Sequence, residues 1–344
     1  MQYAISQESR LGAFIVECPF YSHRDPWAAH VSADLYRYKF LEFRDGEAID
    51  RGYFSQENEV AWVASSVPGS SALGVAAAYM RMRTRALTFQ PRPFENVDFF
   101  IGSVSLLGRK YVTVSSSEFA GRVEDVPLGY QAGLAFGRNL HFVASGTVDY
   151  FGKIYGQTSA ALTENVFASY QAMVTTYFDR WVPHESNISG IVLHHWKMSQ
   201  NQNLTGRVAA VVGSRLHPYS QLVLGASTGL RGYRNYEFFG QRILLLNLEH
   251  RILSLVRIWF LRLGGVLFFD SGAICNQDES LQRQRFHSSA GFGLRANVGT
   301  GIFRVDVAYN LDQRRVSFAF SANQLFRVFS PLEFLSPVPE QPLR

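Results

Sequence analysis

The chain has 344 residues, of which 47% are hydrophobic, 14% aromatic and 18% charged, with a net charge of +5. Scarce charge and abundant aromatics exclude a disordered chain, and two cysteines exclude a disulfide scaffold. The apolar residues do not gather into the runs of about 20 that membrane-spanning helices need, and the 33 Lys and Arg are scattered, unlike the basic stripe of a nucleic-acid binder.

The opening segment, MQYAISQESRLGAFIVECPF, lacks a basic stretch followed by an apolar one, so no signal peptide is expected in it. Taken in chain order, period-two alternation and turn residues predict strands over 10–18, 29–42, 53–65, 72–88, 96–107, 109–117, 129–137, 139–152, 166–178, 187–199, 203–214, 241–253, 257–270, 285–298, 302–311 and 315–326. Residues 60–80 lack charge, but SSVPGSS breaks them as a turn and argues against a helix. On 79–85, Tyr79 shares a face with Arg81, Arg83 and Arg85, and Met80, Met82 and Thr84 take the other. With Arg37 and Lys39 nearby, these arginines form either a solvated lumen wall or a basic patch near lipid headgroups. Gly108-Arg109, Gly137-Arg138-Asn139, Asn201-Gln202-Asn203 and Asn310-Leu311-Asp312 are expected to be tight turns joining antiparallel neighbours. In 139–152, Leu140, Phe142, Ala144, Val148 and Tyr150 alternate with polar residues. Further on, Leu244, Leu246 and Leu248, then Phe292 and Leu294, then Phe303, Val305, Val307 and Tyr309, then Phe318 and Phe320 do the same.

The polar faces use Ser, Gly, Asn, Arg and Tyr, as a membrane-barrel lumen does, and the strands are longer than those of globular sheets. Tyr150, Phe151, Tyr177, Phe178, Trp181, Trp196, Phe268 and Phe269 lie near strand ends and suit interfacial girdles. The expected fold is all-β: one 16-stranded antiparallel transmembrane β-barrel over 1–326, with an irregular, proline-containing tail over 327–344. A large soluble β protein is the competing reading.

Residues 225–242 read GASTGLRGYRNYEFFGQR. Within them, Leu230-Arg231-Gly232-Tyr233 resembles the [Val/Ile/Leu]-Arg-Gly-[Phe/Tyr] signature of the BamA/TamA superfamily of outer-membrane assembly factors, also called bacterial surface antigens. The resemblance implies a 16-stranded barrel whose sixth extracellular loop carries the motif and folds back into the lumen. Its Arg then contacts acidic groups on the next two strands. The following strand puts Glu249 on its polar face with Asn247 and Arg251, and the one after it resembles the family's Phe-x-Asp-x-Gly element through Phe268, Asp270 and Gly272. An Arg inside a lumen is costly unless paired, and its planar fork suits two carboxylates. Gly232 would let the loop turn sharply or approach the wall. The predicted strands place 11 before Arg231 and five after it, as the family has them. RVEDVPLGYQAG resembles a loop-to-strand entry of some members, and GFGLRANVG and FRVDVAYNL resemble the closing hairpins. The closing strand carries Phe318, Phe320 and Phe326, the last in the place of the family's terminal aromatic. Members usually carry POTRA domains before the barrel, and the sequence shows none.

No catalytic set, Gly-x-Ser-x-Gly nucleophile elbow, His-Glu-x-x-His pattern or P-loop stands out, so neither enzyme activity nor a cofactor is expected. Adjacent His194 and His195 point to opposite faces of a strand, which argues against a metal site. Cys18 and Cys275 are expected to be unpaired. The resemblance implies a monomeric barrel in a bacterial outer membrane that inserts outer-membrane proteins or secretes a partner. Its partners would be outer-membrane lipids, lipopolysaccharide and a client protein, with no nucleic acid. Its loop would be braced by Glu249 and Asp270, and its weakest closure would lie between residues 10–18 and 315–326. The alternative is a barrel anchor or passive channel for a passenger.

Overall fold

The computed structural model describes residues 2–5, 9–18, 26–44, 47–67, 73–86, 96–115, 123–142, 147–216, 222–258, 261–298, 301–322 and 325. Phe326 and the tail over 327–344 lie outside the described residues.

Alternating side chains build a single long meander. Its strands are β1 (Gln2–Ile5), β2 (Ser9–Cys18), β3 (Trp27–Arg44), β4 (Glu47–Ser66), β5 (Leu73–Ala86) and β6 (Val97–Ser115). They continue with β7 (Val123–Asn139), β8 (Tyr150–Ala161), β9 (Val166–Asp179), β10 (Val182–Lys197) and β11 (Gln202–Ser214). A long loop follows, with its own two-stranded ribbon of β12 (Leu222–Leu224) and β13 (Phe238–Gly240). The meander then resumes with β14 (Arg242–Ile258), β15 (Leu261–Cys275), β16 (His287–Val298), β17 (Gly301–Asn310) and β18 (Arg315–Ala322). Sixteen strands form one antiparallel sheet in chain order, with β11 hydrogen-bonded directly to β14. Among the described residues β18 pairs only with β17, and no pairing joins β18 to β1.

The sheet curls round an enclosed face. Leu325, just past β18, packs on the inner sides of Val114, Val126, Leu128, Phe167 and Leu193 from β6, β7, β9 and β10. From the loop, β13 approaches both β15 and β3, so it crosses the interior from one wall to the other. Aliphatic and aromatic groups such as Leu134, Ile154, Leu267, Leu294 and Phe318 remain exposed on the outer face. A soluble protein would bury them, whereas lipid makes that arrangement stable. Among the described residues no helix is long and apolar enough to cross a membrane, which says nothing about crossing by strands.

Several predicted boundaries are corrected. Gly108-Arg109 is no turn: Val97–Ser115 is one strand, paired without a break to β7. Gly108 is there for room, since a Cβ would lie 2.5 Å from the Tyr130 ring across the ladder. Gly137-Arg138-Asn139 ends β7 and does not turn the chain. The predicted strand 139–152 is mostly a connection. There the Asn139 side chain accepts the Asp98 N–H and donates to the Val148 carbonyl, so polar bonding closes a loop despite the alternating pattern. The strand that follows is Tyr150–Ala161. The total stays at 16 because Gln2–Ile5, which had not been foreseen, offsets the fusion of 96–107 with 109–117. Residues 10–18 therefore belong to the second strand, and the terminal edge belongs to β1.

Candidate functional site

The loop between β11 and β14 carries Leu230, Arg231, Gly232 and Tyr233, all oriented by buried anchors. Leu230 is fully buried with Leu224, Tyr233, Ile243, Leu245 and Ala209, so the loop is pinned by its own apolar cluster against the β11–β14 wall. Gly232 has φ +90, and a Cβ there would stand 3.0 Å from the Cβ of Ser289. Both conditions favour glycine, and its carbonyl accepts from Asn310 Nδ2 at 3.2 Å.

Arg231 is 3% exposed. Its Nε and Nη2 donate to the two oxygens of Asp270 at 2.7 and 2.8 Å, and its Nη1 donates to Glu249 Oε1 at 2.7 Å. The guanidinium lies 3.6 Å from the centre of the Phe268 ring. The second Glu249 oxygen accepts from Arg251 Nε at 2.7 Å, and Asn247 Nδ2 donates to Asp270 and to the Gly229 carbonyl, each at 2.7 Å. Each carboxylate oxygen thus has a donor, the condition under which buried charge is tolerated. Gly272 lies two residues beyond Asp270, opposite Leu245. On the neighbouring wall, Arg295 donates to Asp306 at 2.5 Å.

A second set of contacts runs from Tyr233 to the far end of the sheet. Its hydroxyl lies 2.9 Å from Asp312 Oδ2 and 3.1 Å from the Ser288 carbonyl. Asp312 sits in the turn between β17 and β18 and also accepts from His287 Nδ1 at 2.7 Å and Arg285 Nη2 at 2.9 Å. The His287 ring stacks on Phe238 at 4.0 Å. Burial alone would raise the Asp312 carboxyl. The hydrogen bonds from His287, Tyr233 and Arg285 outweigh it and hold the group below its ordinary value. The sequence marks Asp312 only as a turn residue and gives His287 no role. The only signal was a turn aspartate after a strand, which usually marks turn geometry alone.

The structure thus brings Leu230, Arg231, Tyr233, Glu249, Phe268 and Asp270 together, and it places Phe318 and Phe320 apart from them. These two are 76% and 74% exposed on the outer side of β18. The expected aromatic girdle divides by alternation. Phe136, Tyr150 and Trp181 stack in line, with Tyr150 and Trp181 rings 4.2 Å apart. Phe151 and Tyr177 instead point inward against Phe99. His195 is buried beside Thr205, and His194 is exposed beside Tyr170. Cys18 and Cys275 are free thiols. Among the described residues no cluster of His, Cys, Asp or Glu could hold a metal.

The expectation that no Gly-x-Ser-x-Gly spacing is present is corrected: Gly225-Ala226-Ser227-Thr228-Gly229 has that spacing. Here Ala226–Thr228 is a single 3-10 turn rather than a strand-to-helix elbow. The Thr228 hydroxyl bonds Gly225, and no histidine hydrogen-bonds Ser227 among the described residues.

Residues 80–326 match the Omp85 superfamily domain. The fold is similar to that of CdiB from Escherichia coli, with a TM-score of 0.50 and 14% sequence identity, covering 91% of this chain and 59% of that one. The chain therefore spans about 59% of that protein's length. The ferric yersiniabactin uptake receptor FyuA from Yersinia pestis (TM-score 0.33, 11% identity, 91% and 59% coverage) is a more distant likeness. So is the FrpB iron transporter from Neisseria meningitidis (TM-score 0.35, 9% identity, 91% and 60% coverage). No curated protein matches the chain.

Proposed function

The chain belongs to the Omp85 superfamily and is an outer-membrane β-barrel protein, and from that premise we propose that it inserts or translocates client polypeptides without enzymatic chemistry. The observation that carries the reading is the Arg231 brace. Three charge-assisted hydrogen bonds hold a loop inside the lumen against β14 and β15. Tyr233 then ties the same loop to the turn before β18. A buried ion triad is a weak source of stability, because desolvation offsets most of the attraction. Such a device is better suited to fixing one loop position. In this reading the loop keeps the lumen occupied and sets the position of the last hairpin, whose outer edge accepts a client strand by β-augmentation.

The test is photo-crosslinking. A benzophenone side chain at Phe320 is presented with a urea-unfolded eight-stranded outer-membrane protein as the client probe. The reading expects a crosslink at this edge that is lost when the probe is folded beforehand. A crosslink of equal strength to the folded probe, or none to the unfolded one, overturns it. Large steady conductance of the wild-type protein in planar bilayers would instead favour a passive channel.

A further inference from the structure

Of the basic residues noted in the sequence, Arg37, Arg81, Arg83 and Arg85 have no part in the loop site. Their face is set by alternation on β5. Ala78 and Met80 are buried inside with Phe99, Ile101 and Phe151, so Tyr79, Arg81, Arg83 and Arg85 point out of the barrel. This removes the lumen-wall reading of these arginines. Backbone register puts Glu59 opposite Arg81, Glu57 opposite Arg83 and Ser55 between Arg85 and Arg37. Arg81 pairs with Glu59 at 2.9 Å and Arg83 with Glu57 at 3.9 Å. Arg37 and Arg85 are exposed and have no ion pair among the described residues. Asp98 stands opposite Arg81 but is buried, with one oxygen accepting the Phe142 N–H.

Depth in the membrane follows from the same strand. Connections of four residues or fewer after β8, β10, β14 and β16 share one end of the sheet; the other end has the short β9–β10 and β17–β18 connections but also the 27-residue loop over 215–241 and the long connections after β5, β7 and β15. Barrels keep short turns in the periplasm and longer loops outside, so Ala86 marks the outer end of β5. Moving toward that end, the outward side chains are first apolar, Val75 beside Val104. Next comes an aromatic pair, Tyr79 beside Phe100, which is 55% exposed. Arg81, Arg83 and Arg85 follow at steps of about 6–7 Å along the strand. Aromatics at headgroup level with cations immediately beyond them are placed where the outer leaflet carries its phosphates.

We propose that Arg37, Arg81, Arg83 and Arg85, oriented by Glu57 and Glu59, form a binding face for the phosphorylated headgroup of an outer-leaflet glycolipid of the lipid A class. Each ion-paired arginine keeps N–H groups free of its glutamate, and a guanidinium fork fits phosphate oxygens in the same plane. The two glutamates hold Arg81 and Arg83 in line, leaving Arg85 and Arg37 as unneutralised positive charge at the outer rim.

Native mass spectrometry of the detergent-purified protein, titrated with diphosphoryl lipid A and with its dephosphorylated form, tests this. Wild type should prefer the phosphorylated lipid by roughly tenfold or more. The Arg37→Gln/Arg85→Gln variant, which leaves both ion pairs in place, should lose most of that preference while keeping heat-modifiable gel migration. The Arg81→Gln/Arg83→Gln/Arg85→Gln variant should lose it entirely, and if it fails to fold the double variant decides alone. Unchanged preference in the folded double variant, or equal binding of both lipids by wild type, overturns the proposal. Complete competition by millimolar inorganic phosphate would also overturn it, because the site would then take free phosphate and not the lipid.

Discussion

The Tyr233 hydroxyl lies 2.9 Å from Asp312 Oδ2, and together with the Gln313–Glu237 hydrogen bond this contact links the lumen loop to the turn that begins the last strand. Tyr233→Phe keeps the ring against Phe238 and removes only the hydroxyl, with its contacts to Asp312 and the Ser288 carbonyl. It should cost about 1 kcal/mol of local stability. Hydrogen exchange would show it as faster exchange at the 311–314 amides with little change in β14 or β15. Equal protection in both proteins would mean that the bond does not hold the turn.

Arg231→Ala should be far more damaging, because it takes the ion-pair partner from buried Asp270 and leaves Glu249 with Arg251 alone. Removing one member of a buried pair costs about 3–5 kcal/mol, read as a lower temperature for loss of heat-modifiable migration. Adding Asp270→Asn should recover part of that loss, since the carboxylate that loses its partner is then neutral while Glu249 keeps Arg251. Arg231→Lys should fall well short of wild type, because a point ammonium cannot make the two parallel bonds to Asp270. An Arg231→Ala/Asp270→Asn variant less stable than Arg231→Ala would contradict this explanation.

Gly232→Ala places a methyl group 3.0 Å from the Ser289 Cβ at a backbone angle that alanine disfavours. The expected cost is about 1–3 kcal/mol, with only partial recovery from Ser289→Gly, which relieves the contact but not the angle. Full recovery would show that crowding alone requires glycine there.

Acid should release the turn late. The Asp312 carboxyl is held below its ordinary value, so its contribution is complete above the usual carboxylate range of about 4 and is lost as pH falls through the lower folded value. The 311–314 amides should therefore stay protected to about pH 4 and loosen below it. The corresponding transition should be missing from Asp312→Asn. Loosening that starts above pH 5 and is the same in both proteins would assign it to another group.

Much of this architecture was legible because a barrel writes itself in alternation. Leu246 and Leu248 face out and Asn247 and Glu249 face in, which places Glu249 near Asp270 once β14 and β15 pair. Turn residues misled where glycine serves packing, as at Gly108 under the Tyr130 ring. A turn was also missed where no glycine marks it. Arg180 and Trp181 adopt positive φ of 46 and 70 in the tight β9–β10 connection. Beyond it Pro183, the second residue of β10, stands at a register shift, which hid the strand's start. The direction of Arg81, Arg83 and Arg85 could not be read locally, because a row of arginines suits lumen and headgroup equally until Met80 is seen packed inside. The Tyr233–Asp312 contact spans 79 positions and depends on how the sheet curls, which no local pattern encodes.

The central claim is that the braced loop is needed for client insertion. The most direct measurement is the folding rate of a urea-unfolded eight-stranded outer-membrane protein into liposomes holding equal amounts of folded wild type or Arg231→Ala protein. The account predicts that the variant slows insertion by roughly tenfold or more, toward the rate of empty liposomes. Equal rates for the two proteins, both above that of empty liposomes, would contradict it.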